Sequence, residues 1–186
     1  MTSILQSRPM VEPVAVDALR DYLRLDDDEA ALLSSLITSA RLMVEAQTGV
    51  RLISQVWSQV IPYQPIGRLS LAHWPLLQLK GISILGETIV KLSVDDFIVT
   101  KQTRPIQVFP KNGVWPNLRS SQYGITVDVM VGFGAQKADV PEDLQQAVLI
   151  LAAHWYEENE WNDHSTARSL PPQVLSLIQP YILPRL

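Results

Sequence analysis

The sequence predicts an α+β fold: a bundle of about four helices with a small antiparallel β lobe inserted between helices two and three. Three observations carry that prediction. Two capped amphipathic stretches, residues 14–48 and 140–161, show apolar positions at helical spacing. Between them the periodicity changes to alternation broken by Pro and Gly, as strands and turns require. The chain then closes on an apolar, proline-punctuated segment, residues 170–186. The expected domains are a discontinuous helical bundle (1–50 and 138–186) and a β-rich insertion lobe (51–137).

In the first stretch, Pro13 suits a first helical turn, and Val16, Leu19, Tyr22 and Leu23 recur at helical spacing up to Leu25. Asp26, Asp27, Asp28 and Glu29 place acceptors and negative charge where a second helix begins. Read as a metal loop, this run lacks both a glycine at the turn and a closing Glu at calcium-loop spacing, so capping is the better account. Leu32, Leu33, Leu36, Ile37, Ala40, Met43 and Val44 form the stripe of helix two, and Gly49 ends it.

Strands are read around Ile53, Val56, Trp57, Val60 and Ile61, then at 82–85, 89–92, 96–100, 106–109 and 125–131, with turns at Gly86-Glu87 and Gly132-Phe-Gly134. Their spacing suits a small sandwich or barrel. Gly132 and Gly134 follow a strand as a phosphate loop does, but a third glycine opening a helix is missing, so they read as a turn out of the sheet. Trp57, Trp74 and Trp115 read as core or sheet-face residues, and His73 as a strand-end residue.

Asp139-Val-Pro-Glu142 has the pattern of an N-cap with Pro in the first turn and Glu at the capping-box position. Leu144, Ala147, Val148, Leu151, Ala152 and Trp155 then run along one face. His154, Glu157 and Glu158, with His164 following, could offer metal ligands, but the zinc-protease spacing is absent, and a solvated face with Glu160 explains the carboxylates. Residues 159–169 read as a polar linker, and Pro171-Pro172 as the start of a last short helix over 173–179.

Composition narrows the function. Cysteine is absent, which removes disulfides, thiol nucleophiles and thiolate metal sites and suits a reducing compartment. A net charge of −4 argues against a broad phosphate-gripping surface. No basic region followed by an apolar stretch opens the chain, and no apolar run approaches membrane-helix length, so a soluble protein without a visible export signal is expected. No nucleophile elbow marks a Ser-His-Asp site, so neither catalysis nor a cofactor is expected.

Three stretches taken together resemble the head-tail connector, or adaptor, family of long-tailed bacteriophages and phage-like gene transfer agents. They are Asp17-Ala-Leu-Arg-Asp-Tyr-Leu-Arg-Leu-Asp-Asp-Asp-Glu29 with Ala46-Gln-Thr-Gly49; Gly132-Phe-Gly134 before Val140-Pro-Glu-Asp-Leu144; and Ala152-Ala-His-Trp-Tyr-Glu157 with Pro180-Tyr181. The resemblance implies a structural protein of the particle neck, assembled in the bacterial cytoplasm. It implies a ring, typically of twelve copies, beneath the portal protein, joined to a downstream neck, stopper or tail protein and passing DNA without binding it specifically. In this family C-terminal segments commonly reach the portal, which points here to Pro180, Tyr181, Ile182, Leu183, Pro184, Arg185 and Leu186. Ring contacts need large side surfaces, for which Arg41, Glu45, Glu157 and Glu158 flank the helix stripes. Two alternatives stand beside this reading: a monomeric binding module using the β lobe, and a hydrolase drawing on His73, His154 and His164.

Overall fold

The computed structural model describes residues 2–26, 29–63, 65–85, 88–101, 103–116, 124–161 and 170–183. The chain divides into a β unit, Met1–Pro9 with Ser54–Phe133, and a helical unit, Met10–Ile53 with Gly134–Leu186.

Among the described residues the β unit holds eight strands: β1 (Thr2–Ser7), β2 (Gln55–Ile61), β3 (Leu69–Leu71), β4 (Leu76–Leu85), β5 (Val90–Leu92), β6 (Phe97–Thr100), β7 (Ile106–Pro110) and β8 (Gly124–Val131). They form two antiparallel sheets, one ordered β1-β2-β8-β4-β5 and one ordered β3-β7-β6. This overturns the predicted helical bundle with a small lobe. The protein is a mixed α+β fold that has, among the described residues, four α-helices and two antiparallel sheets. The alternation signal undercounts strands where they are short, exposed or bulged. The ladder between β4 and β8 slips between Leu76 and Gln78 and again between Leu79 and Gly81, which breaks the period of two along β4.

Central strand β8 shows how sequence becomes sheet. Ile125, Val127, Val129 and Val131 are buried, while Thr126, Asp128 and Met130 between them are partly exposed. The buried set shares its face with Ile61 on β2 and Ile82 on β4 through the register Ile61↔Ile125 and Ile82↔Val127. Leu69, Leu71, Ile106 and Val108 of the second sheet complete one core with Phe97 and Trp115. Gln59 lies fully buried among them and ties the two sheets together. Its Oε1 accepts the Ala72 N–H at 3.0 Å and its Nε2 donates to the Ser70 carbonyl at 3.5 Å. On the opposite face the Ser58 hydroxyl donates to the Asp128 carboxylate.

The helical unit contains α1 (Val16–Leu23), α2 (Ala30–Thr48), α3 (Glu142–Trp161) and α4 (Pro172–Ile178), the last continuing as a 3-10 turn, Gln179–Tyr181. α2 packs on α3, and α3 on α4. Leu33, Leu36, Ile37, Ala40 and Val44 of α2 and Leu144, Ala147, Val148, Leu151 and Ala152 of α3 are buried. Leu32, placed in the stripe by sequence, is exposed. Gly49 ends α2 with φ 68°, its N–H donating to the Glu45 carbonyl at 2.9 Å, a left-handed conformation that side chains resist.

Two capping expectations change. Glu29 takes the N-cap position of α2 without a side-chain cap bond, and Asp27 and Asp28 lie outside the described residues. Asp139 closes the 3-10 turn Lys137–Asp139, its carboxylate accepting the Gln136 N–H at 2.9 Å, and α3 begins only at Glu142. Gly134 has no Cβ because Asp139 occupies that space, and it forms a single parallel bridge with Ile53. Gly132 and Gly134 therefore carry the chain out of β8, as the turn reading expected.

Candidate assembly surfaces

The side chains that sequence marks for assembly fall on α2, α3 and the C-terminal segment. On α2, Arg41 and Glu45 are buried and one turn apart. Arg41 Nε donates to Glu12 Oε2 at 2.7 Å, and its guanidinium lies 3.4 Å from Glu45 Oε1. Glu45 meets Arg51 at 3.2 Å and accepts the Leu52 N–H at 3.0 Å. Thr38 adds a hydrogen bond to Glu12 at 3.0 Å. Burial acts to lower the Arg41 pKa, but the Glu12 hydrogen bond and the charges of Glu45 and Glu12 outweigh it and raise it above the ordinary arginine value. Both side chains thus fasten the segments that enter and leave α1 and α2: Glu12 just after Pro9, and Arg51 and Leu52 just before Ser54.

On α3, Glu157 is exposed, and Glu158 faces His154 at 3.2 Å, an i,i+4 pair. The Glu160 side chain lies outside the described residues. At the start of the same helix, Asp143 receives the Tyr181 hydroxyl, which donates to the two carboxylate oxygens at 3.0 and 2.9 Å. Burial first, and then the hydrogen bond and charge of Asp143, push the Tyr181 pKa up to about 12. The base of the C-terminal segment is therefore held on α3, beside buried Ile178 and Val174. Pro180, Ile182 and Leu183 continue from that anchor, Pro180 and Leu183 exposed, while Pro184, Arg185 and Leu186 lie outside the described residues. A groove of about 300 Å³ opens in the helical unit between Pro13, Val14 and Ala18 of the first turn and Lys137, Glu142 and Gln145 near the start of α3.

His73 lies in the β unit against Trp57, ring centroids 4.3 Å apart; His154 lies on α3; His164 is outside the described residues. Among the described residues no group of three or more His, Asp or Glu is arranged to hold a metal ion, and no helix is long and apolar enough to cross a membrane. Elsewhere in the β unit, Trp74 meets Phe133 edge-on at 5.7 Å with Arg104 at 5.3 Å from its ring, and Trp115 Nε1 donates to the Gly67 carbonyl at 2.7 Å. Burial lowers the Arg104 pKa.

Matching this architecture against solved structures finds particle necks. The chain is similar, at 22% identity and a TM-score of 0.86, to a chain in the neck of an empty gene transfer agent particle computed with C6 symmetry; the match covers 100% of this chain and 97% of that one. A chain of the virion of a native gene transfer agent particle matches with a TM-score of 0.85, 22% identity and coverage of 100% and 97%. A chain in the neck of a native particle computed with C12 symmetry matches with a TM-score of 0.79, 23% identity and coverage of 98% and 97%. At this identity the likeness establishes a shared fold. The sequence matches no protein-family profile and no curated protein.

Proposed function

We propose that the chain is a structural, non-catalytic protein of the neck of a phage or phage-like particle, a head-tail connector whose ring joins the portal protein to a downstream neck, stopper or tail protein and continues the DNA channel. The observation that carries this reading is the likeness over the whole chain to chains of gene transfer agent necks and virions. The six- and twelvefold symmetries of those necks support a ring of twelve copies, a number that satisfies both.

Exposed Glu157 and its neighbour Glu158 are proposed to face the adjoining copy, whereas Arg41 and Glu45 act within the subunit by holding Glu12 and Arg51. The segment Pro180, Tyr181, Ile182, Leu183, Pro184, Arg185 and Leu186 is proposed to reach the portal from the anchor at Asp143. An acidic helical unit suits the channel wall, because like charge keeps the duplex from sticking. Assembly takes place in the bacterial cytoplasm.

The test is removal of residues 180–186. The expected product is folded, with unchanged helix content by circular dichroism, yet no longer joins portal-bearing heads. Normal joining by the truncated chain refutes the docking role.

A further inference from the structure

β1 is the least committed strand of the larger sheet. Among the described residues its one ladder partner is β2, in the register Thr2↔Val60, Ser3↔Gln59, Ile4↔Ser58 and Leu5↔Trp57, with a slip before Ser7↔Val56. Its residues are exposed along the strand except at Ser3, which is partly covered, and none of them joins the buried core. β2 differs. Gln55, Ser58, Gln59 and Ile61 are buried, and Gln55–Ile61 pairs with β8 along its whole length without a slip. The buried face of the sheet is built by β2, β8 and β4, and β1 adds a ladder of backbone hydrogen bonds at its edge. Thr2–Ser7 carries no charge and no proline, the usual devices that stop an edge strand from pairing with another chain.

The link from β1 to the rest of the chain is short and open. Arg8, Met10 and Val11 are exposed, and the segment is then fastened at Glu12, which Thr38 holds at 3.0 Å and Arg41 at 2.7 Å. Pro9 and Pro13 flank it and have no N–H to offer a ladder. Extended, the connection from Ser7 to Glu12 spans about 17 Å. Terminal strands tied down only by their ladder are among the first elements to open.

We propose that β1 is an exchangeable arm: in the assembled ring, β1 of each copy leaves its own β2 and pairs with β2 of the adjoining copy. The inference rests on the neck-ring reading and names a contact that links its subunits. The occupant is a second copy because the edge of β2 already fits this segment, and the same six residues from a neighbour reproduce its register and its slip between Leu5 and Ser7. Each copy gives one strand and receives one, so the contact is heterologous and closes with the ring. Exchange conserves the ladder bonds, so proximity sets the balance. Attachment to its own chain favours the home site in dilute solution; subunits held side by side cancel that advantage, and short hinges then invite exchange. The reach of the arm confines exchange to adjoining copies.

The chain has no cysteine, so a pair of introduced cysteines reports where β1 lies. Thr2 and Val60 are register partners, one exposed and the other half-buried. The full chain carrying Thr2→Cys and Val60→Cys is linked with a short bismaleimide and run under denaturing conditions, once as dilute purified chain and once as assembled particles. The expected dilute product stays at 20.8 kDa with an internal link, and the particles give a ladder of multiples of that mass. Particles assembled from a mixture of the two single variants give linked dimers, and particles of either variant alone give none.

Links confined within single chains in the particles overturn the proposal. So does the absence of links of either kind, which takes β1 off β2 altogether. Particles that lack the chain count against the neck reading instead. Exchange is then read on the purified double variant at about 1 mM, where multiples of 20.8 kDa support it and internal links alone overturn it.

Discussion

The two units bury different kinds of polar group. Among the described residues, the buried polar side chains of the β unit, Gln55, Ser58, Gln59 and His73, carry no formal carboxylate or guanidinium, whereas the helical unit buries Arg41 and Glu45. The β core is a packed apolar layer stitched by amide and hydroxyl hydrogen bonds, and its stability follows from volume and fit. The helical unit places opposed charges where the chain enters and leaves its first two helices, so its integrity depends on keeping those charges matched. Strand alternation can absorb drift in sequence; a charge network of four residues cannot.

That contrast can be broken from either side. The largest expected effect is from Glu45→Ala, which removes a buried carboxylate that meets Arg51 and Arg41 and accepts the Leu52 N–H; denaturant unfolding should show a loss of about 3–5 kcal/mol. In the β unit, Ile125→Ala opens a cavity at the centre of the larger sheet and should cost about 2–5 kcal/mol by the same measurement, with no dependence on salt. The smallest effect belongs to the tail anchor.

Tyr181→Phe removes the hydrogen bond to Asp143 and should cost less than about 1.5 kcal/mol globally while speeding hydrogen exchange in α4. The anchor also sets a pH signature. Because folding raises the Tyr181 pKa from 10.0 to about 12, the folded state binds that proton more tightly. The anchor's contribution is therefore fully present below pH 10 and is lost as the pH rises toward about 12. Tyrosinate absorbance and α4 exchange should change together over that window in the wild type, and the Phe variant should show no such coupled step.

Much of the helical unit was legible because helix signals are local. The stripes of α2 and α3 and the glycine after α2 need only residues three, four or one step away. The β unit was legible in part. β8 reads cleanly because every second residue is β-branched and buried, but β3 spans three residues and β1 is largely exposed along its length, so neither carries a period to detect. The strand content, and with it the fold class, is therefore underestimated from sequence. Arg41 and Glu45 look like surface charges beside a stripe; that they meet Glu12 and Arg51 is a tertiary fact invisible to spacing, although their i,i+4 pairing was a hint. The tie between Tyr181 and Asp143 spans 38 residues and had no local signal.

The most direct measurement is an electron cryomicroscopy reconstruction of the neck of particles that carry this chain. The neck-ring proposal predicts a closed ring of this subunit between portal and tail. A neck whose density leaves no place for the fold, or particles that join heads to tails normally without the chain, would contradict it.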